Sequence, residues 1–350
     1  MVKARVTSTK RRAALHLLAL AGTLALAVAQ AAGQQAGTLF GASGVSPQAV
    51  RQGVLGSCYF HASVAALASA APDRLRGAIG RGTMGGYRVH LASGPDELVF
   101  PEDVKFGRDH GYDRSEGDWV LVLMRAYAQR SVRQSLAEAI GHSALIPDFV
   151  RPMALGWLND SGLLVVAWDR AIRAVVNQDG SMDRASLKRN LTLEARAAGL
   201  PAAQVQALLG FLDEKGFFDT VALAVRQNGE VFGAYKSIGQ GGIPVRVLEA
   251  FMGSAGANYA SNSGPLMVQL ERLHRGGVAV VAGTLPNPPA SAMGADWFVP
   301  AHAYSVLDYD PGSQMVRLRN PWGRKPDPDG SFSLPLSVFM QSYADYSYSQ

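Results

Sequence analysis

Apolar residues recur in two registers along this chain, and the change from one to the other divides it. Tyr59–Ala70 is an apolar, alanine-rich run with no Asp, Glu, Lys or Arg, which predicts a buried helix ending near Ala71-Pro72. Asp118–Arg130 carries Trp119, Leu123, Ala126 and Tyr127 at helical spacing. Tyr87–Leu91 and Glu97–Phe100 are short strand candidates on either side of a Gly-Pro turn. Pro265–Arg275 sets Leu266, Leu270 and Leu273 on one helix face and is stopped by Gly276-Gly277. Beyond it the pattern favours strands: Val278–Ala282, Ala301–Asp308, Gln314–Arg319 and Ser331–Leu334. The middle of the chain predicts helices over Gly162–Val176, Asp183–Ala198 and Pro201–Glu214. Strands Thr220–Arg226 and Val231–Tyr235 follow, around an Asn228-Gly229 turn. The pattern implies an α+β protein, helical early and strand-rich late.

Composition changes this picture in two places. The 350 residues suffice for two modest cores, and the formal net charge is +5. Lys3, Arg5, Lys10, Arg11 and Arg12 supply five positive charges before any acid, so the remainder is near neutral. No electrostatic footprint for nucleic acid is left. That basic start, the apolar run Ala13–Ala29 and the small residues at 29–31 form the three-part pattern of a signal peptide over residues 1–31. An exported protein, secreted or periplasmic, is therefore expected, with no membrane association after cleavage. Its single cysteine cannot close an internal disulfide.

That cysteine, Cys58, ends the string Gln52-Gly53-Val54-Leu55-Gly56-Ser57-Cys58 and opens the first apolar run. A thiol at a helix N-terminus feels the positive end of the backbone dipole, which favours the thiolate. Gly53 and Gly56 permit a tight turn and close approach of a substrate backbone. Gln52 is six residues upstream. Its amide and the Cys58 N–H would form two donors for an oxyanion. Far downstream stand Ala301-His302-Ala303-Tyr304-Ser305-Val306 and Arg317-Leu318-Arg319-Asn320-Pro321-Trp322-Gly323. Cys58, His302 and Asn320 fit the logic of nucleophile, base and orienting residue, with Trp322 roofing the Asn–His hydrogen bond. His61, three residues after Cys58, is the local rival base. Helical geometry places it beside the first turn, not across a cleft. A lone cysteine also reads as a small buried hydrophobe, and Asn320 as a turn residue before proline.

Together, Gln-Gly-x-Leu-Gly-x-Cys, His-Ala-Tyr-Ser-Val and Arg-x-Arg-Asn-Pro-Trp-Gly resemble the protease core of the calpain family, within the papain-like cysteine peptidases. Trp119–Gln129 with Ala126-Tyr127-Ala128, then Leu248-Glu249-Ala250 and Asp329-Gly330-Ser331-Phe332, extend the resemblance in family order. It implies a papain-like two-lobe α+β fold. A helical lobe over 51–135 would carry Cys58, and residues 243–350 would complete it and form a strand-rich lobe carrying His302 and Asn320. It implies an endopeptidase acting on protein or peptide substrates without a cofactor. Cys58 would be the nucleophile, His302 the general base and acid, Asn320 the orienting residue and Gln52 the oxyanion donor, supported by Gly56 and Trp322. Residues 32–50 read as a linker and 136–242 as an inserted, mainly helical subdomain returning through Gly239–Gly242, its partner undefined.

Departures from the family pattern matter. Ser57-Cys58-Tyr59 stands where calpains carry Asp-Cys-Trp. Ser43–Arg51 has no acid, and the stretch after Gly323 is cut to Arg324-Lys325-Pro326-Asp327-Pro328-Asp329. Calcium needs several converging oxygens, so no calpain-type calcium switch is expected. Asn177–Asp183 has the outline of an EF-hand loop, but Val175 and Ser186 fall where ligands belong. No metal-binding Cys/His spacing exists. Two other functions are compatible with the same residues. One is side-chain amide hydrolysis or transfer, as by a deamidase or transglutaminase-like enzyme. The other is a catalytically silent binding module.

Overall fold

The computed structural model describes residues 39–142 except 83, 84, 93 and 95, together with 184–197, 201–214 and 234–350. Helix α1 (Cys58–Ala70) is the centre of the fold. Its residues from Tyr59 to Ala68 are all buried, as expected of a helix that is apolar on every side. Helix α2 (Pro72–Ala78) leads into strands β1 (Ile79–Arg81), β2 (Tyr87–Val89) and β3 (Glu97–Val99), a three-stranded antiparallel sheet. Helices α3 (Pro101–Asp109) and α4 (Trp119–His142) follow. The first turns of α4 bury Trp119, Val120, Leu123 and Met124 against the same core as α1.

Helices α5 (Arg184–Ala197) and α6 (Ala202–Glu214) match the helices expected there and pack on each other. The predicted helix Gly162–Val176 and the strand Thr220–Arg226 lie outside the described residues, as do the 1–31 signal segment and the EF-hand-like loop. The predicted strand Val231–Tyr235 is corrected where it is described. Ala234 and Tyr235 open helix α7 (Ala234–Gly239). Tyr235 is buried, its ring 5.2 Å from the Arg125 guanidinium and its hydroxyl donating to the Asp103 carbonyl at 3.1 Å. Packing on α4 thus overrides the strand preference of an aromatic residue. The same contacts put Ala234–Gly239 in the first core, not in a separate inserted body. Of the 32–50 stretch read as a linker, the described part, 39–50, is no plain linker, since Leu39, Val45, Ala49 and Val50 are buried in that core.

Helix α8 (Pro244–Met252) closes the first core, with Val247, Leu248 and Phe251 inward. Strand β4 (Ala255–Tyr259) and helix α9 (Ser263–His274) open the second half. Strands β5 (Val280–Thr284), β6 (Ala303–Asp310), β7 (Met315–Arg319) and β8 (Ser331–Pro335), helix α10 (Leu336–Ser342) and strand β9 (Tyr343–Ser349) complete it. The strands form one antiparallel sheet in the order β4-β9-β5-β6-β7-β8. Its faces divide by alternation. Val280, Ala282, Tyr304 and Val306 enter a second core with Leu270 and Phe339, whereas Val281 and Ala303 face the first core. Helix α1 lies on that latter face, where the Ser305 hydroxyl donates to the Ala62 carbonyl at 2.8 Å. The molecule is therefore a mixed α+β structure in which the sheet carries α1 on one side. Among the described residues no helix is long and apolar enough to cross a membrane.

Candidate active site

The loop before α1 is fixed before the helix begins. The Gln52 N–H donates to the Pro321 carbonyl at 2.8 Å, and Gln52 forms an isolated antiparallel bridge with Asp113. Gly53 is pressed onto the backbone of Gly111 and Tyr112. A Cβ there would stand 2.0 Å from the Gly111 carbonyl oxygen. Gly53→Ala should therefore lower stability by about 1–3 kcal/mol, the usual cost of forcing atoms into a filled space. Thermal or urea unfolding of the two proteins measures the difference. At Gly56 a Cβ would lie 2.7 Å from the Gly239 carbonyl oxygen, and at Gly242 it would meet the Tyr59 ring. The Gly239–Gly242 turn thus crosses the N-terminal end of α1.

The Gln52 amide nitrogen donates to the Leu55 carbonyl at 2.6 Å. That occupies one of its two N–H bonds within the turn leading to Cys58. Cys58 is half-buried at the first residue of α1. The backbone N–H of Ala303, the first residue of β6, is directed at its sulfur, as are those of Tyr59 and Cys58 itself. These donors favour the thiolate, but burial outweighs them and pushes the thiol above its ordinary value. Position at a helix N-terminus therefore does not alone decide the thiol's charge, because burial costs the sulfur more hydration than these donors return.

His302 precedes Ala303, so the imidazole belongs to the segment that touches the sulfur. Its backbone is held on both sides. The His302 N–H donates to the Thr284 hydroxyl at 2.9 Å, and the Thr284 N–H donates to the His302 carbonyl at 2.9 Å. Ala301, just before it, sits at φ 48°, a left-handed conformation that a residue with a Cβ seldom adopts. Such strain persists only where the surroundings impose it, and it is common at functional sites.

The ring's protonation pattern follows from its neighbours. His302 Nε2 lies 3.1 Å from Asn320 Oδ1, and the Trp322 backbone N–H donates to that oxygen at 3.0 Å. A backbone N–H needs an acceptor, which fixes the amide oxygen, not its nitrogen, toward the imidazole. Nε2 then carries the proton, and Nδ1 keeps its lone pair for a donor such as a thiol. The Trp322 ring covers His302 at 4.8 Å between centroids, and Tyr304 meets it edge-on at 5.1 Å. His302 is only 6 % exposed. Burial pushes its pKa down to about 4, against a smaller opposite pull from Asn320, so the ring is neutral at pH 7.

The rival base is placed elsewhere. His61 is fully buried, with Nε2 3.1 Å from Asp113 Oδ1 and Nδ1 3.0 Å from the Ser57 carbonyl. Both ring nitrogens are engaged beneath the Cys58 turn. Two contributors stand in the strings singled out above, but nothing there gave them a role. The first is the Ala303 N–H. The second is Arg319, which is buried and reaches from β7 to donate to the Val50 carbonyl at 2.7 Å. It ties the Gln52 loop to the strand that leads to Asn320. Among the described residues no group of three or more His, Cys, Asp or Glu converges to hold a metal ion.

Chemically, the site offers a thiol under three backbone N–H groups, a neutral imidazole with a defined tautomer and a carboxamide donor in the preceding turn. No protein-family model matches the chain, and no curated protein matches it. Among solved structures it is similar to PepW from Lactobacillus rhamnosis HN001 (DR20), determined as the selenomethionine derivative. The identity is 9 % over 86 % of this chain and 80 % of that one, with a TM-score of 0.29, too slight to bear on fold or chemistry.

Proposed function

We propose that this chain is a calpain-like cysteine endopeptidase of papain-like two-lobe architecture, exported by its 1–31 segment. The observation that carries the reading is the order of contacts along one segment. Asn320 Oδ1 receives His302 Nε2–H at 3.1 Å, and the next residue, Ala303, presents its N–H to the Cys58 sulfur. In this reading Nδ1 of His302 takes the thiol proton as the sulfur attacks the peptide carbonyl carbon. The carbonyl oxygen gains negative charge and is met by the Cys58 N–H and the second N–H of the Gln52 amide. The C–N bond then breaks. The imidazolium returns its proton to the departing amine, and a thioester remains. Water, deprotonated by the same imidazole, hydrolyses the thioester and restores the thiol.

Burial of both groups supports a neutral resting pair in this reading, with proton transfer coupled to attack. The donors at the sulfur lower the energy of the charged form only as it develops, which is where they accelerate the reaction.

Incubation with a protein mixture is expected to yield new peptide termini, and a thiol-directed peptidyl epoxide is expected to add once, at Cys58. Both are read by mass spectrometry. A gain of about one dalton on glutamine side chains without new termini would instead mean amide hydrolysis by the same acyl chemistry. Absence of any adduct at Cys58 would remove the reading altogether.

A further inference from the structure

A buried row of polar side chains lies beneath the nucleophile and takes no part in the mechanism above. His61 Nδ1 stands 3.2 Å from Ser57 Oγ and 3.0 Å from the Ser57 carbonyl oxygen, and its Nε2 donates to Asp113 Oδ1 at 3.1 Å. Hydroxyl, imidazole and carboxylate in that order make up a nucleophilic triad elsewhere. Here Ser57 and His61 are both fully buried, so no acyl group reaches the serine oxygen. What the row holds is the peptide group between Ser57 and Cys58.

Ser57 is the N-cap residue of α1, yet its hydroxyl makes no cap hydrogen bond and faces His61 instead. A serine at that position ordinarily satisfies a first-turn N–H. The ring holds Ser57 in either charge state. Charged, it donates from Nδ1 to the carbonyl; neutral, with its proton on Nε2, it accepts the hydroxyl. The same carbonyl receives the N–H groups of Phe60 and His61, each at 3.1 Å. A peptide unit is planar and trans, so its C=O and N–H point in opposite directions. Fixing the Ser57 oxygen therefore fixes the Cys58 N–H, which is turned toward its own sulfur.

The other end of the row reaches the second proposed oxyanion donor. Asp113 forms the isolated bridge with Gln52, and the Ser115 hydroxyl donates to Asp113 Oδ1 at 2.6 Å. Ser115 Oγ in turn receives the Arg51 N–H at 2.8 Å. The segment 113–115 thus clasps Arg51 and Gln52 by its backbone and His61 by its carboxylate.

We propose that His61 and Asp113 are positioning residues of the oxyanion site. They set the Cys58 N–H and the Gln52 turn relative to one another, and so raise kcat for amide hydrolysis without touching the substrate. This rests on the peptidase reading. A buried pair that served the core alone would bear on folding and leave the aim of the two donors unchanged.

The test compares a reaction that builds charge on oxygen with one that does not. Hydrolysis of a fluorogenic peptide draws on the oxyanion donors, whereas iodoacetamide forms a C–S bond at Cys58 as its C–I bond breaks. Intact mass follows the alkylation, and Cys58 is the single cysteine. His61→Leu is expected to lower kcat about 30-fold, less than the loss of a whole donor, with KM and the alkylation rate changed by less than about twofold. His61→Asn places an amide where Nδ1 stands, able to donate to the Ser57 carbonyl, and should bring kcat back to within about fivefold of the parent protein. Asp113→Asn, of nearly the same shape, should lower kcat about fivefold with alkylation kept, and carries the test if His61→Leu does not fold. A kcat within about twofold of the parent in each folded variant would overturn the positioning role and leave the peptidase intact. So would an equal fall in hydrolysis and alkylation, or no recovery in His61→Asn. No hydrolysis by the parent protein would instead overturn the peptidase reading, and the positioning role with it.

Discussion

Cys58→Ala is expected to lower kcat/KM for peptide hydrolysis by about 10⁴-fold or more, and His302→Ala to lower it as far. The double variant should fall no further, because in the proposed mechanism the two groups act as one unit. The residual rate is what the backbone donors and substrate binding supply on their own. The structure gives the comparison a particular form. His61 is held by Asp113 and the Ser57 carbonyl, and so does not stand ready to replace His302. Asn320→Ala should cost less than either, since it removes the acceptor that fixes the tautomer but leaves thiol and imidazole in place. Initial-rate kinetics on one fluorogenic peptide rank the four proteins. A His302→Ala enzyme retaining more than about a tenth of the activity would sink the assignment of the base, by the usual size of a general-base contribution.

Acid should destabilise the folded protein through the same imidazole. Burial lowers the His302 pKa from 6.5 to about 4, so the folded chain holds the ring neutral where the unfolded chain protonates it. As pH falls the unfolded state therefore binds the proton first. The contribution of His302 to stability is whole above about 6.5 and is lost progressively down to about 4. The loss is about 3 kcal/mol across that window, because each tenfold difference in proton affinity between the two states is worth about 1.4 kcal/mol. His302→Gln, which does not titrate, should flatten this part of the stability profile. Urea unfolding of both proteins at half-unit pH intervals measures it. Parallel curves would mean that the ring is better solvated than its surroundings indicate.

Sequence alone picks out the residues of the candidate site better than it picks out the elements that frame them. Cys58, His302, Asn320, Gln52 and Trp322 stand in short strings whose neighbours restrict them, and the structure brings them to one junction. Helix α1 is legible because it is apolar on every side, β5 because it is a short continuous apolar run, and β6 to β8 because apolar and polar residues mix along them at strand length. Strands β4 and β9 are not. Ala255–Tyr259 contains glycine and asparagine, and Tyr343–Ser349 alternates tyrosine with serine and aspartate. Each becomes a strand by pairing with the other, a choice made at long range. Helix α4 runs past Arg130 to His142, beyond the stretch with clear periodicity. The direction in which the Cys58 thiol moves is hidden for a related reason. The dipole of α1 can be read from sequence, whereas the loss of hydration depends on residues from β6 that arrive from far along the chain.

The place of β9 also orders events during synthesis. It lies between β4 and β5, so β4 joins the sheet only through residues 343–349. A growing chain leaves β5 with a bare edge until those residues emerge, long after the thiol-bearing helix has been made. The half that carries His302 is therefore finished last, and an incomplete polypeptide holds its sulfur without a completed sheet to settle the His302 segment beside it.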